Sequence, residues 1–235
     1  MADFWYRHFY LNFIAENRWL YLVSGLKNTL LITFFALLLG VVLGALVAVV
    51  RVTNDKADHP SLLIRVLNRI CRIYLAIFRG TPVMVQLLIM YFVVFVAFDP
   101  GKIIVAIISF GINSGAYVAE IFRGGIMSID PGQMEAGRSL GLSYGTVMRK
   151  IVLPQAVKNV LPALGNEFIA LLKETSIAGY IALRDLTKGA DVIRSQTYDA
   201  FPPLLAAAAI YLVMVMLISK GISILERRLA QSDRR

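Results

Sequence analysis

Long apolar runs separated by short polar connections set the pattern of this chain. Residues 30–50, 80–98, 103–119 and 200–219 contain no charged side chain. Residues 152–172 are apolar except for Lys158 near one end and Glu167 in the middle. A helix needs about 20 predominantly apolar residues to cross a bilayer. The runs therefore predict an all-α, polytopic membrane helix bundle with about five transmembrane helices, at about residues 26–50, 80–98, 102–122, 153–175 and 199–222. They belong to one membrane domain covering residues 1–235, with residues 1–25 as an N-terminal segment at the outer interface. That segment is rich in Trp and Tyr, which favour the headgroup level. It lacks the layout of a secretory signal, so no cleaved leader is expected.

Between the runs, two stretches have their own periodicity. In residues 62–80, Arg65, Arg69, Arg72 and Arg79 share one face, while Leu63, Val66, Leu67, Ile70 and Tyr74 fill the other. This reads as a basic amphipathic helix on the membrane surface, or as the first half of a spanning helix. Residues 130–152 read as helix, turn, helix. Asp130-Pro131 is a helix start, Gly141 a stop, and Ser143 a cap for a second short helix running to Ile151. Within the first span, Gly40, Gly44 and Ala48 form a ridge of small residues suited to close helix packing.

Charge fixes the orientation. The connections 51–79 and 123–158 and the C-terminus hold sixteen of the 24 Lys and Arg. With five spans these segments share a side, and the excess of Lys and Arg places them in the cytoplasm and the N-terminus outside. The net charge of +9 thus follows the membrane and does not form one cationic face for nucleic acid. Composition agrees: 58% of residues are hydrophobic and 17% charged, against about 45–50% and 25% in soluble domains. The one cysteine, Cys71, excludes a disulfide framework within the chain.

Little here suggests catalysis. His8 and His59 lie outside the apolar runs, and no metal-ligand cluster or Cys–His pair is placed within a span. No catalytic residue and no metal site is expected. An ionisable residue inside a span is a functional candidate by default. Glu167 is the clearest case: it can receive the ammonium group of an amino acid, or pair with a neighbouring cation and only fix packing. Asn166, Asn113 and Ser114 are possible hydrogen-bonding companions on a substrate pathway. Arg79, Glu120 and Arg123 read as an ion-pair latch at the cytoplasmic end.

The stretch "EAGRSLGLSYGTVMRKIVLP", residues 135–154, resembles the coupling loop of ABC importer permeases. Its fixed points are Glu135, Ala136, Gly137, Gly141, Ile151, Leu153 and Pro154, with Gly137 where the family carries a second alanine. "FRGTPVMVQLLIMYF", "NSGAYVAEIFRGGI", "LPALGNEFIALLKETS" and "LERRL" are similar to the polar amino-acid uptake branch, so the likeness covers roughly residues 21–230. The resemblance implies a type I ABC importer permease fold in a bacterial inner membrane. It implies a second permease subunit, a cytoplasmic ATPase dimer on the coupling loop, and an extracytoplasmic amino-acid-binding protein. The small Ala136 and Gly137 would let the ATPase surface approach closely. The chain has no G-x-x-x-x-G-K-[ST] sequence, so no cofactor is expected on it, and ATP and Mg belong to the partner ATPase. A permease for another small polar solute is the alternative. A secondary transporter is a weaker one, because neither internal repeats nor matched interrupted helices are visible.

Overall fold

The computed structural model describes residues 5–57 and 59–232. Residues 1–4 of the outer segment, and Arg234 and Arg235 of the basic C-terminus, lie outside the described residues. Helices are α1 (Tyr6–Ile14, wound in π fashion), α2 (Trp19–Lys56), α3 (Leu62–Gly80), α4 (Val83–Ile89), α5 (Lys102–Met127), α6 (Pro131–Ser139), α7 (Tyr144–Val147), α8 (Leu153–Glu174), α9 (Leu186–Thr197) and α10 (Phe201–Ser232). A π-type turn, Met90–Val94, extends α4, and another, Met148–Val152, joins α7 to α8.

The core is built on α2 and α5. Thr29, Ile32, Thr33, Ala36, Gly40, Gly44 and Ala48 recur at helical spacing and are buried. The ridge within this stripe lets backbones meet: a Cβ on Gly44 would lie 2.6 Å from Val118 Cγ1 and 2.8 Å from the Ala119 nitrogen. Phe110, Ala106, Leu87 and Leu171 complete the central cluster, which joins α5 to α4 and α8. The opposite faces of α2 and α10 expose Phe34, Leu38, Leu46, Leu212, Met216 and Leu217. Lipid covers such apolar surface at no hydration cost.

Among the described residues three helices, α2, α5 and α10, are by themselves long and apolar enough to cross a membrane, and the bent pair α3–α4 makes a fourth if its two arms form one span. Helix α8 forms where the fifth span is expected, at Leu153–Glu174. Lys158, Glu167, Lys173 and Glu174 keep it below the apolarity of the other spans. The bundle is thus polytopic and helical, as expected, with differing boundaries. The helix carrying the first span runs for 38 residues, Trp19–Lys56, so residues 19–25 of the expected outer segment are helical and continuous with it. Of the expected second span, only Val83–Val94 is helical along the α4 axis, because Pro82 starts it and the helix ends in the turn at Phe95.

The axes of α3 and the α4 segment differ by 107°. Pro82 has no N–H for a continuous helix and holds Thr81 extended (φ −123°, ψ 150°). Gln86 then locks the elbow, donating from Nε2 to Phe78 O (3.1 Å), Thr81 O (3.0 Å) and Thr81 Oγ1 (2.8 Å).

Candidate functional site

The polar connection 130–152 folds into a ledge made by local chemistry. Asp130 Oδ1 accepts from the Gly132 N–H (2.8 Å), and Pro131 opens α6. At the other end Gly141 has φ 80°. Its N–H donates to Arg138 O (3.0 Å), while Leu142 N–H donates to Gly137 O (3.2 Å). This double bond satisfies the last carbonyls of α6 in a Schellman arrangement, which needs a left-handed residue at the position of Gly141. Ser143 Oγ accepts from the Thr146 N–H (3.3 Å) and starts α7.

Glu135, Ala136, Leu140, Gly141, Leu153 and Pro154 are exposed on this ledge, and Ile151 is half-buried. Gly137 faces the other way. It is buried, and a Cβ there would lie 2.7 Å from Val147 Cγ2. Its small size therefore lets α6 pack on α7, which corrects the expectation that it serves the approach of an outside surface. The ledge is also not a separate loop: α7, the π-type turn and α8 follow without a break to Glu174. Leu153 and Pro154 begin α8 within that continuous path.

Within the bundle, the buried Ser114 hydroxyl on α5 donates to Glu167 Oε1 on α8 (2.7 Å). Among the described residues no Lys or Arg of this chain makes an ion pair with Glu167. The carboxylate keeps acceptor capacity beyond Ser114. Two expected companions lie elsewhere. Asn113 Nδ2 donates to Phe78 O (3.0 Å) and Gln86 Oε1 (2.8 Å), bracing the α3–α4 elbow. Asn166 is exposed on α8, about 100° around the helix from Glu167. The structure thus brings Ser114 to Glu167 and leaves both asparagines out.

The latch is larger than its sequence signal. Arg123 reaches Glu120 Oε2 at 3.2 Å and Arg79 reaches Oε1 at 3.9 Å. Arg51 of α2 also pairs with Glu120, and Asp55 lies 3.8 Å from Arg123. Continuing the ridge Gly40, Gly44, Ala48 by one turn reaches Arg51, so the signal was present at helical spacing.

Sequence reasoning missed helix α9 and the contacts at its ends. Asp185 caps it, accepting from Thr187 N–H (2.9 Å) and Lys188 N–H (3.0 Å). Asp185, Leu186, Gly189, Ala190 and Ile193, all buried, carry a cap followed by an apolar stripe, a readable pattern in a segment too polar to draw attention as a span. Beyond it, Asp199 Oδ2 holds His8 Nδ1 (2.7 Å) and Asn12 Nδ2 (3.1 Å), fastening α1 to the α9–α10 corner. On the outer face of α9, hydrogen bonds from Lys188 (2.8 Å) and Arg194 (2.5 Å) hold the Asp191 carboxyl below its ordinary range. Ser176, Tyr180, Lys188, Asp191 and Arg194 line an open cavity of about 520 Å³ beside it.

Residues 40–231 match the family described as binding-protein-dependent transport system inner membrane component. The chain is 39% identical over 220 residues to the putative glutamine transport system permease protein GlnP of Rickettsia bellii, covering 91% of this chain and 94% of that one. It is 35% identical over 215 residues to the arginine transport system permease protein ArtQ of Bacillus subtilis, with 91% and 94% covered. A crystal structure of an amino acid ABC transporter with histidines superposes with a TM-score of 0.80 at 43% identity, over 88% of this chain and 94% of that chain.

Proposed function

The chain belongs to the inner membrane components of binding-protein-dependent transport systems, and from that premise we propose that it is the permease subunit of an amino-acid ABC importer. Two such subunits, identical or paralogous, enclose the pathway. Five spans cross the bacterial inner membrane, α8 being the fifth, with the N-terminus outside and the C-terminus in the cytoplasm. An ATPase dimer binds ATP and Mg and seats against the exposed tip of the ledge, while an extracytoplasmic binding protein delivers the amino acid. This chain carries no nucleotide or cofactor.

One observation carries this reading. The helical path from Tyr144 to Glu174 is unbroken, with the ledge at one end and Glu167 within the bundle. A displacement imposed on the ledge is therefore transmitted along α8 to the carboxylate. Before that displacement, Glu167 and Ser114 present acceptor atoms to the α-ammonium or cationic side chain of a substrate. The relatives named for glutamine and arginine support an amino acid as that substrate.

Reconstitution in liposomes with the partner ATPase and binding protein tests the reading. Glutamine or arginine uptake should require ATP, and Glu167→Gln should reduce uptake while the complex still assembles. Unchanged uptake kinetics in that variant would assign Glu167 to packing.

A further inference from the structure

At the end of the bundle where α2 and α5 stop and the α3–α4 elbow begins, Arg51, Arg72, Arg79 and Glu120 line an open cavity of about 360 Å³ together with Ala76. Among the described residues cations outnumber anions here. Arg51, Arg79 and Arg123 all converge on Glu120, and Asp55 supplies only a long second contact to Arg123. Among the described residues the buried Nε of Arg51 has no hydrogen-bond partner. Arg72 makes no ion pair or hydrogen bond among the described residues. Arg72, exposed and unpaired on the cavity wall, is the donor open to a ligand, and phosphate, like carboxylate, matches the fork geometry of a guanidinium.

We propose that this cavity binds the phosphodiester headgroup of an anionic phospholipid, with Arg72 as its principal donor and the Arg51 and Arg79 charges beside it. Three features favour a lipid as the source of the phosphate. The cavity lies near the ends of α2 and α5, both long and apolar enough to span a membrane, toward the basic connections expected at the cytoplasmic headgroups. Arg72 and Ala76 share the cavity face of α3, while Ile73 and Ile77, each one residue on, are exposed and apolar, so acyl chains have a surface beside the headgroup. Basic pockets between spanning helices also suit anionic headgroups electrostatically. A bound lipid would neutralise the surplus charge and brace the elbow against α2 and α5.

Native mass spectrometry of the full-length protein, purified as the complex it forms in its membrane, tests this. After delipidation it is titrated with phosphatidylglycerol, with phosphatidylcholine, and with phosphatidylglycerol in excess inorganic phosphate. One phosphatidylglycerol should be retained in preference to phosphatidylcholine and survive the phosphate. Arg72→Gln should weaken it about fivefold, the effect of one basic residue near an anionic surface. Arg69→Gln removes the same charge from the same helix, one turn outside the cavity lining, and should weaken binding less. Arg72 and Arg69 are exposed, so neither variant threatens folding, which circular dichroism confirms independently. Equal weakening by both variants would reduce the effect to a diffuse basic face and overturn the site. Displacement of the lipid by inorganic phosphate would make a free anion the ligand and overturn the lipid assignment. Absence of a retained lipid in the assembled complex would mean that a neighbouring subunit covers the cavity, which overturns the proposal equally.

Discussion

At the level of single residues, small side chains and caps decide geometry that hydropathy does not see. Gly137 is the clearest example, because its missing Cβ is what lets α6 lie on Val147. Gly137→Ala should destabilise the ledge by about 1–3 kcal/mol, the usual cost of overpacking. Val147→Ala in the same chain should recover most of the loss. Thermal unfolding of the two variants in detergent checks this, and a single variant as stable as the parent would refute the packing. Asp191 offers a pH-dependent test. Its folded pKa is depressed by hydrogen bonds from Lys188 and Arg194, so its stabilisation is present above the unfolded value and is lost as pH falls through the folded one. Asp191→Asn should therefore cost less than about 1 kcal/mol near neutrality, as exposed i,i+3 pairs do. The difference from the parent should vanish in strong acid. Melting curves across that pH range measure it.

At the level of elements, the α2–α5 contact is the structural axis of the bundle. At Gly44 the obstacle is partly the backbone of α5, because the Ala119 nitrogen lies 2.8 Å from the place a Cβ would take. Side-chain rotation alone does not relieve that contact. Gly44→Leu should part the two helices and destabilise the protein by several kcal/mol, at or above the overpacking range of about 1–3 kcal/mol. Gly221 of α10 meets nothing within 4 Å, and the same substitution there should be tolerated by this chain's fold. Size-exclusion profiles and melting temperatures of the two variants separate these outcomes. The elbow between α3 and α4 follows the same logic in reverse. A proline opens the bend, and Gln86 and Asn113 satisfy the backbone carbonyls it releases.

For the whole molecule, what matters is the continuity from the ledge to the bundle interior. Gly141 holds φ 80° at the exposed tip and has open space around it among the described residues. Gly141→Lys therefore meets no internal clash and costs only about 1–2 kcal/mol for the left-handed conformation. It should insert and assemble, hydrolyse ATP with its partner, and lose most uptake, because the tip no longer seats. Gly141→Asn, which tolerates the left-handed region, should retain more uptake. Parallel assays of hydrolysis and uptake in liposomes distinguish uncoupling from misassembly. Uptake near that of the parent in Gly141→Lys would contradict the coupling role.

Local patterns carried much of this molecule. Apolar runs mark the spans because burial in lipid depends on the residues of one segment, and the ridge Gly40, Gly44, Ala48 is legible because helical spacing is local. Asp130, Gly141 and Ser143 announce the ledge for the same reason: a cap bonds to backbone atoms within a few residues. The remainder depends on which helices become neighbours and how each is rotated. Hydropathy cannot tell that Asp55 joins the latch through Arg123, that Asn113 turns to the elbow while Ser114 beside it meets Glu167, or that Gly137 points inward. Nor does a Pro82 by itself specify a bend of 107°. Those features arise from contacts between residues far apart in the chain. They exist only once α2, α5 and α8 have packed together.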